Sequence, residues 1–182
     1  MKMKVILAAL AALLAGCAST PPPLPEADAE PYLLGPGDEV RISVFRLTEM
    51  SNTYRVSDSG TISLPLLETM PVAGKQIEEV KAAIEAAITE KNLIYNPSVS
   101  AEIAQYRPFF VIGEVNKPGQ YFYAPKMTVL TALSMAGGPT FRANTDKIVV
   151  TRIIDGKAVS GKARLDSLVL PGDTIRVYEG WF

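Results

Sequence analysis

The sequence predicts an α+β chain of two small lobes behind an N-terminal address segment. Three observations predict it. Short runs of period-two alternation recur between Gly/Pro turns, the pattern of half-buried strands. One strongly amphipathic helix and one short helix interrupt them. A Pro-Gly-Asp turn occurs twice, at Pro36–Asp38 and at Pro171–Asp173.

In chain order, Lys2 and Lys4 precede a ten-residue apolar run, Val5–Leu14. A membrane-spanning helix needs about 20 such residues. The run instead describes a secretory signal peptide, residues 1–16. It ends Leu14-Ala15-Gly16-Cys17, and Cys17 is the chain's one cysteine. This resembles a bacterial lipobox, which implies a diacylglycerol on the Cys17 thiol. Ala18 in place of aspartate resembles sorting to the outer membrane. Residues 17–31 then form a lipidated cysteine and a linker. Five of the thirteen residues of Ser19–Pro31 are proline, which favours an extended, semi-rigid spacer.

The first lobe covers residues 32–104. Gly35-Pro36-Gly37-Asp38 launches Glu39–Phe45, where Val40, Ile42 and Val44 alternate with polar residues. Tyr54–Val56 and Thr61–Leu64 flank Asp58-Ser59-Gly60 and read as a hairpin, closed by Pro65. Lys75–Lys91 is the best helix, with Ile77, Val80, Ile84 and Ile88 on one face. Its charged outer face reads as solvated. Asn96-Pro97 breaks the chain before the alternating strand Val99, Ala101, Ile103.

The second lobe covers residues 105–182. Phe109–Val115 and Tyr121–Tyr123 read as strands around Lys117-Pro118-Gly119. A short helix over Thr128–Ala136 buries Val129, Leu130 and Leu133, and Gly137-Gly138-Pro139 stops it. Lys147–Ile153 is a β-branched strand followed by an Asp155-Gly156 turn, and Thr174–Tyr178 is the last strand. That order suggests one helix on a mixed sheet.

Leu34–Ile42 and Val169–Val177 share Pro-Gly-Asp, one variable residue, then apolar, Arg, apolar. Proline fixes φ, glycine supplies positive φ, and aspartate accepts local backbone N–H groups. Asp38 and Asp173 therefore read as structural.

Composition narrows the chemistry. The 182 residues carry 18 Lys+Arg against 19 Asp+Glu, a net charge of −1, with no footprint for nucleic acid. Hydrophobic content of 48% and charged content of 20% describe a globular chain. The absence of histidine excludes Ser-His-Asp and Cys-His catalysis and His-ligated zinc. A single cysteine excludes an internal disulfide and a Cys-based cluster. Glu49, Asp58, Glu68 and Glu114 make no local glycosidase constellation. The expectation is no enzyme, no cofactor and no metal.

Candidate binding residues come from aromatic and basic side chains. Tyr106, Phe109, Phe110, Tyr121, Phe122 and Tyr123 suit either a sugar-stacking surface or the core of two strands, and the core reading is preferred. Alternation forbids Phe109 and Phe110 from sharing one core, so one of them, or Tyr121 with Tyr123, is left to face a ligand or neighbour; Phe110, Tyr121, Tyr123, Arg107 and Arg142 are the substrate-binding candidates. Arg107, Arg142, Lys147 and Arg152 suit an anionic polymer or a solvated surface. Trp181 and Phe182 suit either docking on a partner or packing over a sheet edge.

Several motifs together carry a family resemblance. Leu34–Asp38, Val56–Pro65, Val72-Ala73-Gly74 and Asn96–Val99 resemble the N-terminal domain of bacterial outer-membrane polysaccharide export lipoproteins. Val111–Val115, Pro118-Gly119, Leu130–Leu133, Ala136–Gly138 and Leu170–Asp173 resemble the soluble-ligand-binding β-grasp (SLBB) domain that follows it. The ordered set covers Tyr32–Phe182. It implies a small α/β polysaccharide-export domain followed by a β-grasp domain, behind a lipoprotein signal peptide.

The implied role is export of capsular polysaccharide or exopolysaccharide by a homo-oligomeric ring, lipid-anchored at the periplasmic face of the outer membrane. The implied partners are the polysaccharide and an inner-membrane polysaccharide co-polymerase, often linked to a tyrosine kinase. The sequence stops after its last strand, where the longest members continue into a pore-forming helix. A short ring that works with a separate outer-membrane pore component is therefore expected. The alternative is a periplasmic polysaccharide-binding or signalling lipoprotein with no transport role.

Overall fold

Val40, Ile42 and Val44 alternate with Arg41 and Ser43 because one face of β1 (Glu39–Val44) is core and the other is solvated. A computed structural model describes residues 22–24, 31–154 and 156–180. The signal segment, Cys17, Asp155 and the Trp181–Phe182 pair lie outside those residues.

β1 is the centre of a three-stranded antiparallel sheet. β2 (Asn52–Arg55) lies on one side and β5 (Val99–Gln105) on the other. Helix α1 (Ile77–Glu90) packs on this sheet through Val80, Ile84 and Ile88. Each of these buried side chains contributes about 1.5–3 kcal/mol. The Glu79 carboxylate closes the start of α1 by accepting from the Gln76 N–H at 2.7 Å.

The hairpin expected across Asp58-Ser59-Gly60 is corrected. The turn forms, with Gly60 N–H donating to the Ser57 carbonyl at 2.9 Å and Gly60 at φ +76°. Its flanking strands do not pair with each other. The Val56 backbone is taken by Gly37 and Asp38, at 3.0 and 2.8 Å. β3 (Thr61–Ser63) therefore turns away and pairs with β4 (Thr69–Pro71) in a separate ribbon. Nothing in the short, proline-ended β4 announces a strand.

The second core lies on a five-stranded mixed sheet. Its strands are β6 (Phe109–Gly113), β7 (Gly119–Tyr121), β8 (Ala143–Ile154), β9 (Lys157–Ala163) and β10 (Thr174–Glu179). The order is β7-β6-β10-β8-β9, with β6 and β10 parallel and the other pairs antiparallel. β7 ends at Tyr121, which pairs with Phe109, and Pro108 precedes β6 without an N–H to offer. The expected strand over Tyr121–Tyr123 is therefore shifted toward Gly119.

Helix α2 (Val129–Met135) covers one face of this sheet. It buries Val129, Ala132 and Leu133, whereas Leu130 is 55% exposed. The expected buried trio is thus corrected at one position. Val129, Ala132, Leu133 and Ala136 follow the i, i+3, i+4, i+7 spacing, which puts Leu130 outside. Gly137 at φ +77° ends the helix, and the Gly138 N–H donates to the Leu133 carbonyl at 2.9 Å.

Two features near the sheet edge go beyond the sequence reading. β9 has no apolar alternation to mark it, since only Val159, Gly161 and Ala163 turn inward. The proline-rich segment read as spacer is docked on β9 over Pro22–Leu24. Lys162 N–H donates to the Pro22 carbonyl at 2.8 Å, and Leu24 N–H donates to the Lys162 carbonyl at 3.0 Å. The pairing is parallel, and Leu24 packs against the second core. Gly161 makes room for it: a Cβ there would stand 2.5 Å from the Leu24 Cα.

Ile84 is fully buried between α1 and the first sheet. Ile84→Ala is expected to lower the unfolding free energy by about 2–5 kcal/mol, read as a lower denaturant midpoint at unchanged m-value.

Candidate functional site

The two Pro-Gly-Asp turns are built alike and meet at one arginine. Each aspartate is fully buried and reaches back three residues to a backbone N–H. Asp38 Oδ2 accepts from Gly35 N–H at 2.8 Å, and Asp173 Oδ2 accepts from Leu170 N–H at 2.8 Å. A buried carboxylate needs further donors. Asp173 takes them from Arg152, whose Nε and Nη2 lie at 3.0 and 2.8 Å. Asp38 takes them from the Tyr32 hydroxyl at 2.7 Å, the Arg107 N–H at 2.7 Å and Arg107 Nη1 at 3.3 Å.

Arg107 belongs to the segment that joins the lobes. Its Nε also donates to the Pro171 carbonyl at 3.1 Å, so one guanidinium bridges the first turn and the second. The glycines make this possible. A Cβ on Gly35 would fall 2.0 Å from Arg107 Nη1, and one on Gly172 would fall 3.1 Å from Nε. Beside it, Tyr32, Tyr106 and Tyr123 stack edge to face at 5.0 and 5.3 Å, and Arg107 lies over the Tyr32 ring at 5.6 Å. Burial, and the hydrogen bond to Asp38, push the Tyr32 hydroxyl far above the ordinary tyrosine range. Burial also raises Tyr123.

The junction has the chemistry of a clamp. Both buried carboxylates are satisfied, and among the described residues no buried side-chain N or O atom lacks a partner. Neither aspartate is placed to carry a proton to a substrate.

The candidate residues Phe110, Tyr121, Tyr123, Arg107 and Arg142 fall in separate places. Phe109 is fully buried and Phe110 is 40% exposed, as alternation requires. Phe110 lies on the sheet face opposite α2. Tyr121 lies on the α2 side, stacked 5.9 Å from Phe109, with its hydroxyl donating to the Lys117 carbonyl. Tyr123 and Arg107 belong to the junction. Arg142 is paired with Glu179 at the end of β10.

Register assembles a surface around Phe110 that single residues did not reveal. Phe110, Thr174, Thr151 and Ser160 form one row across β6, β10, β8 and β9. Ile112, Arg176, Val149 and Lys162 form the next. Arg176 and Lys147 both lie over the Tyr178 ring, at 5.9 and 5.1 Å. The outward parity of Thr174, Arg176 and Tyr178 is the signal that could have found this face. Arg152, grouped with the basic candidates in the sequence, is instead buried against Asp173.

A helix-backed three-stranded lobe is thus joined to a mixed-sheet lobe, one face of which is uncovered among the described residues. Comparison with known proteins gives the family. Residues 26–104 match the model described as polysaccharide biosynthesis/export protein, and residues 108–162 match that of the SLBB domain. The chain belongs to the polysaccharide export protein family. Among its relatives is the exopolysaccharide production protein ExoF of Rhizobium meliloti (strain 1021), 40% identical over 72% of this chain and 32% of that protein. Another is the EPS I polysaccharide export outer membrane protein EpsA of Ralstonia solanacearum, 30% identical over 69% of this chain and 40% of that protein. A third is the polysialic acid transport protein KpsD of Escherichia coli, 29% identical over 78% of this chain and 25% of that protein. The chain thus spans well under half the length of these relatives.

Two measurements test the clamp. Arg152→Met strands the Asp173 carboxylate and is expected to cost about 3–5 kcal/mol of stability in denaturant unfolding. Tyr32 keeps its proton in the folded state when an unfolded tyrosine, with its pKa of 10.0, has lost it. Its contribution is therefore complete below pH 10 and declines as pH rises beyond it. Unfolding free energies from pH 9 to about 11 are expected to fall less steeply in Tyr32→Phe than in the unchanged chain.

Proposed function

We propose that the chain is a component of a capsular or exopolysaccharide export machine. In this reading it is a homo-oligomeric ring, lipid-anchored through Cys17 at the periplasmic face of the outer membrane. Family membership is the observation that carries the reading. The relatives' roles in exopolysaccharide production, polysialic acid transport and outer-membrane export support it. The inner-membrane co-polymerase and an outer-membrane pore component are its expected working partners.

The chain handles polymer and does not turn it over. The proposed contact is the open sheet face. The Phe110 ring offers a flat surface for sugar C–H faces, and Arg176, Lys147 and Lys162 offer cations to an acidic polymer. Arg142 lies at its margin, on the strand-end pair with Glu179. Tyr121 and Tyr123 support this face from the core and the junction.

Polymer location in a strain lacking the chain tests the proposal. Loss of extracellular polysaccharide is expected, with polymer trapped in the periplasm or its synthesis shut down. Unchanged extracellular polymer, in a strain without a second copy, would favour a binding or signalling lipoprotein instead. Restoring the chain as Phe110→Asp with Arg176→Glu is expected to return a folded protein and less than a tenth of the export.

A further inference from the structure

We propose that the tip of the β8–β9 hairpin is the part of the folded chain that faces the lipid bilayer, held there by the docked Pro22–Leu24 strap. The proposal rests on the reading of Cys17 as the lipid anchor. It adds which surface that anchor presents to the membrane.

The strap fixes a point of the N-terminal segment on the second lobe. Its two main-chain bonds to Lys162, at 2.8 and 3.0 Å, and the half-buried Leu24 side chain packed against the core hold it in place. The direction of pairing is decisive. The strap runs parallel to β9, so its Pro22 end is directed toward the Lys157 end of that strand. Cys17 lies five residue steps before Pro22, a reach of at most about 18 Å at 3.3–3.6 Å per residue. The stretch of β9 from Lys162 back to Lys157 covers about 17 Å at 3.3 Å per residue. The anchor's reach therefore matches the distance to the hairpin tip.

The tip has the chemistry of a membrane contact. Ile153 is 63% exposed on it and pairs with exposed Ala158, while Ile154 pairs with Lys157. An apolar side chain enters the headgroup boundary, and a lysine beside it meets lipid phosphate. Tyr95, at 97% exposure, lies on the first lobe with no such tie to the anchor; on the second lobe, Phe122 (68%) follows β7 at the opposite edge of the sheet and Phe141 (88%) precedes the start of β8, away from the tip.

The test uses the full lipidated chain in vesicles of phosphatidylethanolamine and phosphatidylglycerol. With Cys17 acylated, an introduced cysteine is the one free thiol. Ala158→Cys and Tyr95→Cys are labelled in turn with a fluorophore, and headgroup-spin-labelled lipid serves as quencher. Quenching at position 158 is expected to exceed that at 95 several-fold. Leu24→Asp, which undocks the strap, is expected to abolish the difference, and Gly161→Val is expected to do the same. Equal quenching in the unchanged strap, stronger quenching at 95, or a difference that survives both strap substitutions would overturn the proposal alone. The mass of the N-terminal peptide is read in parallel. A chain without lipid on Cys17 would overturn the anchor reading and this proposal with it.

Discussion

One guanidinium, that of Arg107, holds the two lobes in a fixed relation. It fits because glycine occupies each point where the turns approach it, and it is retained because Asp38 is buried without access to water. The Pro-Gly-Asp device supplies each aspartate with one backbone N–H but cannot satisfy it. An arginine from elsewhere completes each site. Arg152 does so within the second lobe. Arg107 does so between lobes, and its bond to Pro171 ties the first turn to the second. The same residue that neutralises a buried charge therefore sets interdomain geometry.

A fixed geometry matters for the polymer contact proposed above. Polymer contact on the open face of the second sheet gains orientation only if that face is rigidly placed against the rest of the chain. The strap on β9 acts on the same lobe from its far edge. Gly161 lets a main chain approach where a larger residue would exclude it. The second lobe thus receives two restraints, one at the junction and one at the edge, while the β6–β10 face stays open between them.

Much of this was legible in the sequence, for physical reasons that can be named. Strands with clean alternation, such as β1, and helices with strong periodicity, such as α1, were readable because each buries one face. The repeated Pro-Gly-Asp pattern correctly marked Asp38 and Asp173 as structural. The sequence did not disclose that β3 would abandon β2, because Val56 is claimed by backbone groups distant in the chain. β9 stayed hidden because its inward residues are small, and the strap because proline-rich segments ordinarily make no contacts. The aromatic and basic candidates are scattered in space. Their grouping depends on strand register, which local pattern does not encode.

The most direct test of the account is the distance distribution between the lobes. Spin labels at Tyr95→Cys and Ala158→Cys, in a chain with Cys17 blocked or replaced by serine, report it by pulsed electron resonance. A single narrow distance is predicted for the unchanged junction, with a broad distribution on Arg107→Ser. A broad distribution in the presence of Arg107, or a narrow one that survives its removal, would contradict the claim that this residue makes the two lobes one body.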